Sequence, residues 1–103
     1  MILTIDVGNT NITCGVFQGD EIAASFRITT KMPRTSDEYG MMLLNLLEQN
    51  DIHPTEIKDA IICSVVPNVM HSLTNGIRKY FKLDPLIVEP GVKTGINIAI
   101  PNP

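Results

Sequence analysis

Three strand-type runs crowd into the first 29 residues with only tight turns between them. Met1 to Val7 is apolar at Ile2, Leu3, Ile5 and Val7. A turn at Val7-Gly8-Asn9-Thr10-Asn11 leads to a second run, Ile12 to Phe17, and Gln18-Gly19-Asp20 leads to a third, Glu21 to Thr29. A parallel crossover takes a dozen or more residues, so strands this close pair antiparallel, as a meander. The nearly continuous first run suits a central strand covered on both faces. Gly8 and Asn9 are residue types that tolerate positive φ, as a tight turn asks.

The texture changes after Thr29. Thr35-Ser36-Asp37-Glu38 has the form of a capping box, with Thr35 as N-cap and Glu38 reaching back. Tyr39, Met42, Leu43, Leu46 and Leu47 then recur at helical spacing, and the helix should stop near Asn50, ahead of His53-Pro54. Ala60 to Val65 reads as a fourth strand. Pro67 opens a second helix with the stripe Met70, Leu73, Ile77, Tyr80 and Phe81, ended by Asp84-Pro85. Leu86 to Val88 is a fifth strand, Glu89 to Gly95 a loop, and Ile96 to Ile100 a sixth, peripheral strand. The order βββαβαβ predicts an α/β fold: a five-stranded mixed sheet with flanking helices and the first strand near the middle, its later connections parallel and right-handed.

At 103 residues this is one domain. With 44% hydrophobic and 18% charged residues it has ordinary globular composition. A net charge of −3 argues against non-specific nucleic-acid binding, which needs a basic footprint. No apolar run approaches the roughly 20 residues of a membrane span, and no basic segment leads into an apolar one at the start, so neither a membrane partner nor a secretory signal is expected. Cys14 and Cys63 have no zinc or disulfide spacing and read as reduced, buried thiols of a cytoplasmic protein. His53 and His71 read as surface residues, and Lys31, Arg34, Lys58, Arg78, Lys79 and Lys82 as scattered, solvated cations.

The segment Asp6-Val7-Gly8-Asn9-Thr10-Asn11 carries the strongest chemical signal. Successive backbone N–H groups in a tight turn can hold phosphate oxygens. A carboxylate beside them repels phosphate directly but suits a hydrated divalent cation that bridges to it. Taken alone, the same residues equally describe an ordinary hairpin turn. The Asp at the end of an apolar strand tilts the reading toward function, because an unpaired buried carboxylate is costly. Two familiar nucleotide motifs are missing: there is no G-x-G-x-x-G, and Gly91-Val92-Lys93-Thr94 has no Gly directly before its Lys.

Four segments in order resemble the type III pantothenate kinases. They are Asp6 to Thr10, Thr35-Ser36-Asp37-Glu38-Tyr39, Cys63-Ser64-Val65-Val66-Pro67, and Pro90-Gly91-Val92-Lys93-Thr94-Gly95 with Asn97 after it. These kinases belong to the superfamily of acetate and sugar kinases, actin and a class of heat-shock chaperones. The resemblance implies an actin-like ATPase (ribonuclease H-like) domain and ATP-dependent phosphorylation of pantothenate, the first step toward coenzyme A. It implies that Asp6, Val7, Gly8, Asn9, Thr10, Asn11, Ile12 and Thr13 bind the ATP phosphates, with Asp6 acting through Mg2+ or another divalent cation. A monovalent cation, K+ or NH4+, and a homodimer are implied as well.

The resemblance places Ser64 at the border of the same cleft, where it reads equally as a small junction residue. It places the Gly91-to-Gly95 loop near pantothenate, where Lys93 reads as a ligand or a solvated lysine. Ile100 stands where the family often has a Tyr that walls the pantothenate pocket, which removes a side-chain donor. A Gly-Ala-Asp-Arg motif, holding the family's base and its contact to the pantothenate carboxylate, is expected beyond Pro103. The chain therefore reads as the N-terminal half of such a kinase, inactive by itself. A non-catalytic regulatory relative or another kinase of the superfamily is the alternative.

Overall fold

The computed structural model describes residues 1–30, 32–64 and 66–88. The expected loop from Glu89 to Gly95, the sixth strand Ile96 to Ile100, and with them Lys93, Ile100 and the motif at Pro90, lie outside the described residues, as do Lys31 and Val65. Five strands form one sheet in the order β3-β2-β1-β4-β5. They are β1 (Ile2–Val7), β2 (Asn11–Gln18), β3 (Glu21–Thr29), β4 (Asp59–Ser64) and β5 (Leu86–Val88). The first three pair antiparallel, while β4 pairs parallel with β1 and with β5. The short turns impose the meander and the two helices supply the crossovers. Between β2 and β3 the register shifts at Val16/Phe17, leaving Ala23 as the extra residue of a bulge.

Helix α1 (Ser36–Gln49) starts at Thr35 with the full capping box, Glu38 N–H donating to Thr35 Oγ1 at 3.1 Å and Thr35 N–H to Glu38 Oε1 at 2.8 Å. Helix α2 (Pro67–Phe81) has Pro67 in its first turn. Tyr39, Leu43 and Leu47 of α1 and Leu73, Ile77 and Phe81 of α2 join Leu3, Ile5, Val7, Ile12, Cys14 and Val16 in one core, so both helices cover the same face of the sheet. Met42, Leu46, Met70 and Tyr80 flank that core, half-buried. The helices meet closely at two glycines. A Cβ on Gly76 would lie 2.6 Å from the Ser36 carbonyl oxygen, and one on Gly40 would lie 2.2 Å from the Tyr80 ring.

Four expectations change. Helix α2 ends at Phe81, not at Asp84-Pro85, because Lys82 takes the left-handed conformation, φ 59°, that unwinds a C-terminus. A single 3-10 turn, Pro54–Glu56, precedes β4, capped by the His53 side chain. Cys14 is buried, but Cys63 is only half-buried because it points away from the helices. Strand β1 is central, yet only one of its faces carries a helix of the described residues; Ile2 on the other face is 39% exposed. Three of the cations are also paired: Arg78 Nε lies 2.6 Å from Asp84 Oδ1, Lys79 Nζ 2.7 Å from Asp37 Oδ1, and the Arg34 guanidinium donates to the Thr29 carbonyl.

Candidate functional site

Strand alternation decides where each residue of the first hairpin points. Leu3, Ile5 and Val7 face the helices, so Asp6 faces the opposite side. There it shares one cross-strand row with Thr13 and Cys63, and Thr13 pairs onward with Arg27. Asp6 is half-buried, and no salt bridge or hydrogen bond engages it among the described residues. Burial holds its carboxyl above the ordinary Asp value. The Cys63 thiol is pushed up by burial and then by the Asp6 charge.

Gly8, Asn9 and Thr10 form the loop beyond Asp6. The Gly8 N–H donates to the Asn11 carbonyl at 3.0 Å. Neither Gly8 nor Asn9 takes a positive φ, against the sequence expectation. Space is what favours glycine at 8, since a Cβ there would lie 3.2 Å from the Asn11 carbonyl oxygen. Asn9, Thr10 and Asn11 are exposed, and among the described residues no acceptor takes the N–H of Asn9 or Thr10. Val7 and Ile12 turn their side chains into the core, which leaves only their backbone to meet a ligand.

Sequence reasoning passed over Thr30. It is 9% exposed, its N–H donates to the Thr10 carbonyl at 3.0 Å, and its hydroxyl donates to the Gly8 carbonyl at 2.9 Å. The only local signal was a Thr-Thr pair ending a strand, and nothing in that pair points to a contact 22 residues away.

Ser64 pairs with Val7, which puts it on the hairpin's edge of the sheet. Its hydroxyl is turned to the chain itself, accepting from the Val66 N–H at 2.9 Å and donating to the Val66 carbonyl at 3.2 Å. That bond shapes the junction into α2, whose N-cap has no side-chain partner and whose first turn has no acid. The C-terminal ends of β1 and β4 and the positive end of the α2 dipole thus lie on one edge, the usual place for anionic ligands on α/β sheets. An open groove of ≈ 580 Å³ lies elsewhere, lined by Met41, Leu44, Glu48 and His53 among others, and contains no hairpin residue. It lacks the strand-end carboxylate and loop that make the hairpin chemically distinctive.

The family model for Type III pantothenate kinase matches residues 2–103. A curated Type III pantothenate kinase of Agathobacter rectalis is 73% identical over 103 residues, which are 100% of this chain and 40% of that protein. One from Bifidobacterium longum is 48% identical with the same coverage. The chain thus spans about 40% of the length of the curated relatives it matches. Among solved structures, the ROK hexokinase from Thermus thermophilus superposes with a TM-score of 0.63 at 10% identity, over 85% of this chain and 34% of that one. That likeness bears on the fold alone, and it agrees with the actin-like ATPase architecture that the family resemblance implies.

Proposed function

The chain belongs to the type III pantothenate kinase family, and from that membership we propose that the whole protein transfers the γ-phosphate of ATP to the primary hydroxyl of pantothenate. The observation that carries the site assignment is Asp6: a half-buried carboxylate at the end of the central strand, without a partner among the described residues, next to a loop whose Asn9 and Thr10 N–H groups have no acceptor among them either.

Asn9 and Thr10 would offer backbone N–H groups and exposed side chains to phosphate oxygens, with Gly8 keeping the backbone slim and Asn11 and Thr13 flanking. Asp6 would be a ligand to a divalent cation, and among the described residues no group of three or more acids, His or Cys forms around it. One carboxylate suits the mode in which such a cation keeps most of its waters and leans on the phosphates. When bound, the cation supplies charge neutralisation between the β- and γ-phosphates. Asp6 would hold its charge at a fixed distance from the phosphates it must not touch. No ligand for a monovalent cation and no base for the pantothenate hydroxyl is assigned among the described residues.

The reading extends to a homodimer in the cytoplasm, supported by the family resemblance. Among the described residues no helix is long and apolar enough to cross a membrane, and the net charge of −3 speaks against non-specific nucleic-acid contact. The test is a coupled assay of the protein at its full encoded length with ATP, magnesium, potassium and pantothenate. ADP release that depends on pantothenate, with a product one phosphate heavier by mass spectrometry, supports the reading. Absence of ADP release, or release indifferent to pantothenate, contradicts it.

A further inference from the structure

We propose that Thr30 is the positioning residue of the phosphate hairpin: by holding the carbonyls of Gly8 and Thr10 it sets two of the loop's peptide planes and aims the Asn9 N–H at the nucleotide. The inference rests on the reading of that hairpin as the ATP-phosphate site.

The argument is stereochemical. A trans peptide is planar, and its C=O and the following N–H point in opposite directions. The Thr30 hydroxyl holds the Gly8 carbonyl at 2.9 Å, so the N–H of Asn9 is directed away from Thr30. The Thr30 N–H holds the Thr10 carbonyl at 3.0 Å, which fixes the N–H of Asn11 in the same manner. One residue thus sets two peptide planes of a three-residue loop. An ordinary two-residue hairpin would close with the carbonyl of its first residue accepting from the N–H three positions on. Here Gly8 and Asn11 keep only the reverse bond, Gly8 N–H to Asn11 carbonyl, at 3.0 Å. Without the Thr30 hydroxyl the Gly8 carbonyl is free to swing toward the Asn11 N–H, and the Asn9 N–H turns with it. Thr30 is 9% exposed and the bond is partly buried, which limits competition from water.

Thr30→Val keeps the shape and removes the donor, Thr30→Ala removes both, and Thr30→Ser keeps the donor. Each is compared with wild type at full encoded length, by calorimetric Kd for magnesium-ATP, by KM for ATP and for pantothenate, and by melting temperature. T30V and T30A should raise Kd and KM for ATP about five- to tenfold, the scale of one hydrogen bond, with KM for pantothenate and the values for T30S within about twofold of wild type. Wild-type ATP affinity in T30V overturns the proposal. So does a parallel rise in both KM values, a T30S protein as impaired as T30V, or loss of the fold in both T30V and T30A, each of which makes Thr30 merely structural. Failure of the wild-type protein to bind ATP overturns the functional reading and this inference together. Retained binding in T30V overturns this inference alone.

Discussion

Asp6 stands opposite Cys63 across the parallel ladder of β1 and β4, a carboxylate beside a thiol, and no cation pairs with either among the described residues. The carboxyl is held above its ordinary value by burial alone. An ionised Asp6 therefore costs the ligand-free fold stability, which is what a group kept for a ligand would do.

The first prediction follows from that cost, and its sign is fixed by linkage. An acid whose folded pKa is raised binds its proton more tightly in the folded state. Stability then falls as pH rises from the unfolded value, 3.8, through the raised folded value. Asp6→Asn removes the charge, so the ligand-free variant should melt higher than wild type near neutral pH, and the gap should close below the unfolded value. Thermal melts across that window check it. A lower melting temperature near neutral pH would mean that Asp6 has a structural partner.

A second prediction concerns the helix crossing. Alanine in place of a helical glycine ordinarily gains up to about 1 kcal/mol. At Gly76 the added Cβ would sit 2.6 Å from the Ser36 carbonyl oxygen, a backbone atom that cannot step aside without moving α1. Overpacking of this kind costs about 1–3 kcal/mol, so Gly76→Ala should be net destabilising. Denaturant unfolding decides the sign, and a rise in midpoint would show that the helices separate freely.

These two features differ in how far the sequence discloses them. The strand order, the Thr35–Glu38 capping box and the Asp6 hairpin were legible because each depends on residues a few positions apart. The Gly40–Tyr80 and Gly76–Ser36 approaches were not, since glycines inside a helix look like weak helix formers until the partner helix is in place. Thr30 was invisible for the same reason: its partner Gly8 lies two strands earlier. The end of α2 was misread because Asp84-Pro85 is a strong stop signal, while Lys82 adopts a left-handed φ that few residues other than Gly or Asn announce. At Gly8 the expected positive φ is absent, and space beside the Asn11 carbonyl is the physical reason for glycine.

A third prediction takes up an orphan among the described core residues. The Thr74 hydroxyl on α2 is buried with no hydrogen-bond partner among the described residues. An unsatisfied buried polar group costs about 1–3 kcal/mol, and valine fills the same volume without one. Thr74→Val should therefore stabilise the fold by about 1 kcal/mol, after the lower helix propensity common to both β-branched residues cancels. Chemical denaturation measures it, and a loss of stability would mean that the hydroxyl has a partner.

The most direct test of Asp6 as the carboxylate behind the phosphate site is steady-state kinetics of Asp6→Asn at full encoded length. The substitution keeps the shape and removes the charge. The account predicts a kcat lower by about a hundredfold or more, the scale of losing a charge contact made in the transition state, with pantothenate binding little changed. A variant with wild-type kcat would contradict it.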